Sequence, residues 1–443
     1  MTAPKVSAEP SASAIAEGDD DPFYTPPEGY ENTTPGTILR SRPVVVKALD
    51  LFPVHAQSWQ LLYRTTDSDG SPYASVTTVM IPEGAPKSRA LLSYHMAYDS
   101  MQRACMPSYS LLNSNPMDIF NAAKESAWAL PSIEFVLTAS ALAKGYAVSI
   151  PDASGIDNHF LTPRVMGYTA LDGIRAAENF APLGLPGTAT TVAMGGYSGG
   201  GITTDWAAEL QQQYAPELNI TGAAIGGPVA DLAAALHTAN GRLLGGLLPI
   251  GMAALAKDSE EFASRLDGYL TPLGRAVVAG AGRECVGETV LKNMFRRVDD
   301  MVTVPMAQIL ADPVIHEHIA ERARGTVATP TMPLYVFNGL NDEVSPIAPV
   351  DAMVGNYCAD GASITYVRDA LPDLLSDHTL VMLTGAGGMF AWLDKALSGQ
   401  PIQPEGCRTT TVPSTLADAA NLTALPDFAR TAIQMMLGQS LGR

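Results

Sequence analysis

At 443 residues the chain is long enough to bury one large core carrying an inserted subdomain, and its 47% hydrophobic content is ordinary for a globular protein. Its 45 acidic residues outnumber the 27 Lys plus Arg, and the resulting formal charge of −18 argues against nucleic-acid or anionic-membrane partners and favours neutral substrates. No apolar run reaches the roughly 20 residues that a transmembrane helix needs.

Residues 1–21 are small, polar and acidic, with too little apolar surface to offset chain entropy. They are expected to be disordered, like the ragged start of a mature secreted protein whose signal segment has been replaced by a start codon. The next segment, DPFYTPPEGYENTTPG, reads as a wrap over an ordered surface without regular structure. Strands are expected at SWQLLYRTT, YASVTTVMIP and RALLSYHM, where β-branched and aromatic runs are bounded by turn residues.

From Ile133 the pattern changes. The helical IEFVLTASALAKG leads into the strand YAVSIPD, and the helical VMGYTALDGIRAAENF leads into TTVAMGG. Helices alternating with short, uniformly apolar strands indicate a mostly parallel sheet covered on both faces, an α/β architecture. GITTDWAAELQQQY follows as a helix, and NITGAAIGG, MPLYVFNG and ASITYVRD as strands. Residues 228–327 lack a strand signature and read as a helical cap or lid, inserted into a core of 22–227 and 328–443. Within the insertion, GRLLGGLLPIGMAALA is apolar but shorter than a membrane span: a lid helix, or, as is commoner, a packed one. The glycines of GAGGMF around Gly387 read as the start of a helix. Cys105, Cys285, Cys358 and Cys407 could form two disulfides in any of three pairings, and with no C-x-x-C among them export is the better reading.

The chemistry centres on Gly196-Tyr197-Ser198-Gly199-Gly200, between the strand TTVAMGG and the following helix. A serine on so sharp a strand-to-helix turn projects its hydroxyl above the sheet, and glycines flank it because side chains there would strike neighbouring backbone. The motif reads as the nucleophile elbow expected of an α/β-hydrolase fold. A serine hydroxyl needs a base to take its proton and a carboxylate to hold that base in the right tautomer, in the chain order serine, acid, histidine. His378, in LPDLLSDHTL after the last recognisable strand, is the expected base. His237, His316 and His318 fall in the insertion. Asp342, just past MPLYVFNG, is the expected acid; Asn341 and Glu343 are less well placed, and Asp377 adjoins His378 too closely to orient it.

Gly199 should supply one oxyanion amide, and spacing leaves Ala97, Tyr98 and Asp99 open for the second. Ser154 reads as a loop serine, His316 and His318 as residues on different helix faces rather than a metal pair, and His95 and His159 as packed histidines. No metal or organic cofactor is implied.

Taken in order, DPFYTPP, AYDS at Ala97 to Ser100, GYSGG around Ser198, NDEVSP with Asp342, and DH with His378 resemble the secreted lipase family typified by lipase A of the yeast Candida antarctica. The similarity spans nearly all of the chain from about Asp21. It implies Asp99 as the second oxyanion donor and the bridges Cys105–Cys285 and Cys358–Cys407. Each bridge would contribute at most about 4–5 kcal/mol in the chain-entropy model. The resulting reading is a secreted lipase or esterase acting on acylglycerols or related acyl esters, with a lipid–water interface as one setting in which it would meet them, and a monomer is expected. The chain ends in what reads as a plain helix, so a C-terminal flap over the pocket would be short or missing. An acyltransferase with the same triad and a noncatalytic envelope-lipid-binding protein are the alternatives.

Overall fold

The computed structural model describes residues 21–48, 52–83, 89–113, 130–325, 327–372, 375–402 and 406–441. All but the last residue of the segment expected to be disordered, 1–21, lies outside these.

The chain enters through two short 3-10 turns and then builds an antiparallel edge. Strands β1 (Ile38–Val44), β4 (Ala56–Thr66) and β5 (Pro72–Pro82) pair in sequence, with the small hairpin β2 (Lys47–Ala48) and β3 (Phe52–Pro53) between the first two. Strand β6 (Leu91–His95) and helices α1 (Pro107–Asn113) and α2 (Pro131–Ala143) lead to β7 (Ala147–Pro151), α3 (Val165–Asn179) and β8 (Val192–Tyr197). Helix α4 (Gly199–Tyr214) and strand β9 (Ile220–Gly226) follow.

Among the described residues seven α-helices come next: α5 (Leu232–Ala239), α6 (Leu247–Asp258), α7 (Glu260–Tyr269), α8 (Pro272–Ala281), α9 (Val286–Asn293), α10 (Met306–Leu310) and α11 (Pro313–Ala320). The chain then returns to the sheet through β10 (Leu334–Gly339), α12 (Ile347–Ala359), β11 (Ile364–Asp369), α13 (Asp377–Ser398), β12 (Cys407–Val412) and α14 (Ala419–Met436). These strands form one ten-stranded sheet in the order β1-β4-β5-β7-β6-β8-β9-β10-β11-β12, parallel from β7 to β12.

Strands β6, β7, β8 and β10 are buried along their whole length, as uniformly apolar strands of a covered parallel sheet should be. Successive residues point to opposite faces. Leu91, Met194, Ala223 and Val336 pack on one side with α3, α4 and the helices α5 to α11, while Leu92, Ala193, Ala224 and Phe337 pack on the other with α2 and α13. This is an α/β-hydrolase fold.

Three local readings differ from the sequence expectation. Strands β1 and β12 escape it because they are edge strands, exposed over much of their length and carrying little apolar signal. His378 stands on the first turn of α13 rather than in a loop. The GAGGMF glycines lie in the middle of that helix, where a Cβ at Gly385 would fall 2.4 Å from Phe337 and one at Gly387 would fall 2.2 Å from Asn421. They are there for close packing, not for starting a helix.

Both disulfides pair as the resemblance implies. Cys105–Cys285 ties the segment after β6 to the residue just before α9. Ser100 Oγ and Gln102 Nε2 donate to the carbonyls of Glu284 and Gly282 alongside it. Cys358–Cys407 joins the end of α12 to the start of β12.

Candidate active site

Ser198 sits between β8 and α4 with φ of 54° and ψ of −121°, a conformation that costs a non-glycine residue about 1–3 kcal/mol and persists only where the surroundings impose it. They do so here. The Ser198 amide donates to the Gly226 carbonyl at 2.9 Å, and the helix begins at once behind it. A Cβ at Gly196 would lie 2.4 Å from the Gly200 carbonyl oxygen, and one at Gly200 would lie 2.0 Å from that of His95, so neither position admits a side chain.

Ser198 Oγ lies 2.8 Å from His378 Nε2, and His378 Nδ1 lies 2.8 and 3.0 Å from the two oxygens of Asp342. A carboxylate can only accept, so Nδ1 donates and Nε2 is left to accept from the serine hydroxyl. Asp342 Oδ1 also accepts the amides of Val344 and Ser345 at 2.9 and 2.6 Å, which fixes the carboxylate on the turn after β10. Burial alone would pull His378 down, but the Asp342 carboxylate, with Glu343 and Asp99 adding to it, raises the imidazole above its ordinary 6.5. All three side chains are buried.

Tyr197 packs in the core on the α13 face of the sheet, its ring 5.0 Å from that of His378 and 5.5 Å from that of Phe337, and its hydroxyl donates to the His378 carbonyl at 2.7 Å. Two carboxylates set aside in the sequence brace the loops instead. Glu343 Oε2 accepts the His378 amide at 3.3 Å, and Asp377 Oδ2 accepts the Asn341 amide at 3.0 Å, so the acid-bearing and histidine-bearing segments hold each other reciprocally. Burial, with the charges of Asp342, Asp369 and Glu343 adding to it, pushes Asp377 up to about 6. No spacing rule could reveal this, because the bonds run between side chain and backbone across loops far apart in the chain.

Asp99, four residues beyond β6, has φ of 35°, and its carboxyl group presses against the nucleophile turn: a Cβ at Gly199 would fall 1.9 Å from Asp99 Oδ1. Burial pushes this carboxyl up to about 6, the charge of His378 pulling back. The Gly199 amide opens α4 and has no intrahelical partner. The structure thus brings Asp99 and Gly199 to the same side of Ser198.

The other histidines lie elsewhere. His95 is fully buried, its Nδ1 2.8 Å from Thr204 Oγ1, and burial pushes its pKa down to about 3. His159 packs edge-on against Tyr73. His237 and His316 are exposed, and His318 Nδ1 bonds the Val314 carbonyl within its own helix. The Ser154 amide accepts no role in the triad and donates to the Tyr98 hydroxyl.

A cavity of about 1030 Å³, its mouth included, opens on Ser198, Gly199 and Asp99. Its remaining walls are apolar: Leu236 of α5, Leu248 and Leu255 of α6, Phe262 of α7, Met306 and Ile309 of α10, and Ile315 of α11. Among the described residues, only Asp99 and Ser198 bring oxygen-bearing side chains to the lining. The apolar segment at α6 thus forms one wall of this cavity. No helix among the described residues is long and apolar enough to cross a membrane.

Fold and site together define an α/β-hydrolase-type protein with a Ser–His–Asp constellation at the carboxyl ends of parallel strands. The chain belongs to the secretory lipase family, whose model matches residues 125–404. It is 36% identical over 432 residues to a lipase A of Arthroderma benhamiae, covering 96% of this chain and 88% of the relative. It is also 36% identical over 430 residues to a "Probable inactive lipase" of Mycobacterium tuberculosis, covering 96% and 92%. Among solved structures, Candida antarctica lipase A superposes with a TM-score of 0.78 over 96% of this chain and 97% of that one, at 26% identity.

Proposed function

We propose that the protein is a secreted carboxylic-ester hydrolase acting on acylglycerols or related acyl esters through a Ser198–His378–Asp342 triad. The observation that carries this reading is the unbroken chain of contacts from Asp342 through His378 to Ser198 at the mouth of an apolar cavity.

Ser198 Oγ attacks the ester carbonyl while His378 Nε2 takes its proton. The oxyanion is held by the amides of Gly199 and Asp99, and the leaving alcohol departs with the proton from His378. Water, deprotonated in turn by His378, then attacks the acyl-enzyme; the carboxylic acid is released and Ser198 regains its proton. The acyl chain lies along the apolar cavity, and residues 228–327 act as a helical cap over a core of 22–227 and 328–443. Two disulfides and membership of a secretory family support an extracellular site of action.

An alkyl fluorophosphonate is expected to label Ser198 covalently, faster when the alkyl group is long, as peptide mass mapping would show. Failure to label would instead favour lipid binding without turnover, a second reading supported by the description of the mycobacterial relative as inactive.

The His378 shift sets the pH dependence. Because the base must be neutral and its pKa is raised, kcat/KM should fall about tenfold per unit on acidification below a midpoint above 6.5 and level off on the alkaline side. A profile without that acid limb contradicts His378 as the base.

A further inference from the structure

The segment Met96–Asp99 carries the strained Asp99 turn, and its anchoring is asymmetric. On one side the Tyr98 hydroxyl accepts the Ser154 amide at 2.9 Å and donates to Asn158 Oδ1 at 3.2 Å. On the other, among the described residues, the side chain of Glu134 of α2 reaches in. Its Oε2 accepts the Ala97 amide at 3.0 Å and its Oε1 accepts the Tyr94 hydroxyl at 2.8 Å. The Tyr94 ring is itself stacked on Phe390 of α13, 5.6 Å between centroids. Glu134 is buried, its two partners are a hydroxyl and an amide rather than a cation, and burial pushes it up to about 7. Taking a carboxyl group out of water for two neutral donors is unfavourable unless it gains something that an apolar residue could not supply.

We propose that Glu134 is a positioning residue for ester hydrolysis: clamped by Tyr94, it holds the Ala97 amide and so keeps the Asp99 amide aimed at the oxyanion beside Ser198. The inference rests on the reading of Asp99 as the second oxyanion donor. The physical reason is leverage. Asp99 is two residues from the clamped amide, its own φ of 35° is unfavourable, and without a restraint at Ala97 the segment can relax toward ordinary backbone angles. Relaxation would swing the Asp99 amide away from the reacting carbonyl while leaving Ser198, His378 and the cavity in place.

Such a role predicts a particular kinetic pattern. An oxyanion donor acts in the transition state and hardly at all in substrate binding, so its misplacement lowers kcat and spares KM. Glutamine preserves the acceptor for Ala97 and a polar contact to Tyr94, whereas leucine leaves the buried amide without a partner.

The experiment measures steady-state hydrolysis of nitrophenyl butyrate by the full chain and by Glu134→Leu and Glu134→Gln, with thermal unfolding in parallel. For Glu134→Leu the expected kcat is about 10²-fold lower with KM within about threefold, and for Glu134→Gln kcat stays within about fivefold of the parent. A folded Glu134→Leu with parental kcat overturns the proposal and leaves the Ser198 mechanism standing. So does a Gln variant as impaired as Leu, or a parallel change in kcat and KM, either of which indicates general loosening. If Glu134→Leu does not fold, Tyr94→Phe decides: freeing one oxygen of Glu134 should lower kcat about threefold to tenfold at constant KM, and no change overturns the proposal. A parent enzyme without turnover would show at the outset that the mechanism itself fails, and this inference with it.

Discussion

Replacing Ser198 with alanine is expected to lower kcat on a soluble acyl ester by about 10⁶-fold, the scale seen when the nucleophile of a serine triad is removed. The structure explains why so large a loss should come without unfolding. Among the described residues Ser198 Oγ bonds only His378 Nε2, while the turn itself is held by the Ser198 amide on Gly226, by the close approach of Gly200 to His95 and by helix α4. Alanine keeps all of that and meets the same positive φ, so thermal unfolding should barely move. The residual rate should reflect the oxyanion donors and the apolar cavity alone. Turnover within tenfold of the parent would remove Ser198 from the mechanism.

The second large effect is expected of Asp342→Asn, about 10⁴-fold in kcat, from a change of one atom. Asp342 Oδ1 accepts two backbone amides, from Val344 and Ser345, which hold whichever atom stands there to an acceptor. An asparagine must therefore keep its oxygen at that position and present its NH₂ where Oδ2 now lies, 2.8 Å from His378 Nδ1. Two donors cannot face each other, so the imidazole moves its proton to Nε2, the nitrogen that must accept from Ser198. Loss of the carboxylate should also shift the acid limb of the pH–rate profile downward, since Asp342 is what holds His378 above its ordinary value. A variant with nearly parental kcat would mean that Glu343 or Asp377 orients the base instead.

Much of the candidate site was legible before any coordinates, because its parts are local. The elbow around Ser198 depends on a few consecutive residues whose glycines admit close backbone approach, and the positions of Asp342 and His378 follow from strand ends and chain order. The buried strands were legible for the same reason, each being a short apolar run. What escaped was either weakly apolar, such as the edge strands β1 and β12, or contextual, such as the start of α13. There Ser376 caps the helix by accepting the Thr379 amide and puts His378 on a helical first turn. The choice of Asp99 over Ala97 or Tyr98, and the pairing of the cysteines, came from family resemblance, since spacing alone left both open.

The sequence by itself thus determined the nucleophile turn, the identity of the three polar groups and the alternation that builds the sheet, all consequences of backbone geometry over a few neighbouring residues. Only the tertiary structure decided how those groups are held. The reciprocal braces of Glu343 and Asp377, the clamp of Glu134 on Ala97, the approach of Asp99 to Gly199 and the apolar walls of the cavity all depend on which faces of distant elements meet. That is set by packing of the whole core, and a pattern of residue types along one segment carries no record of it.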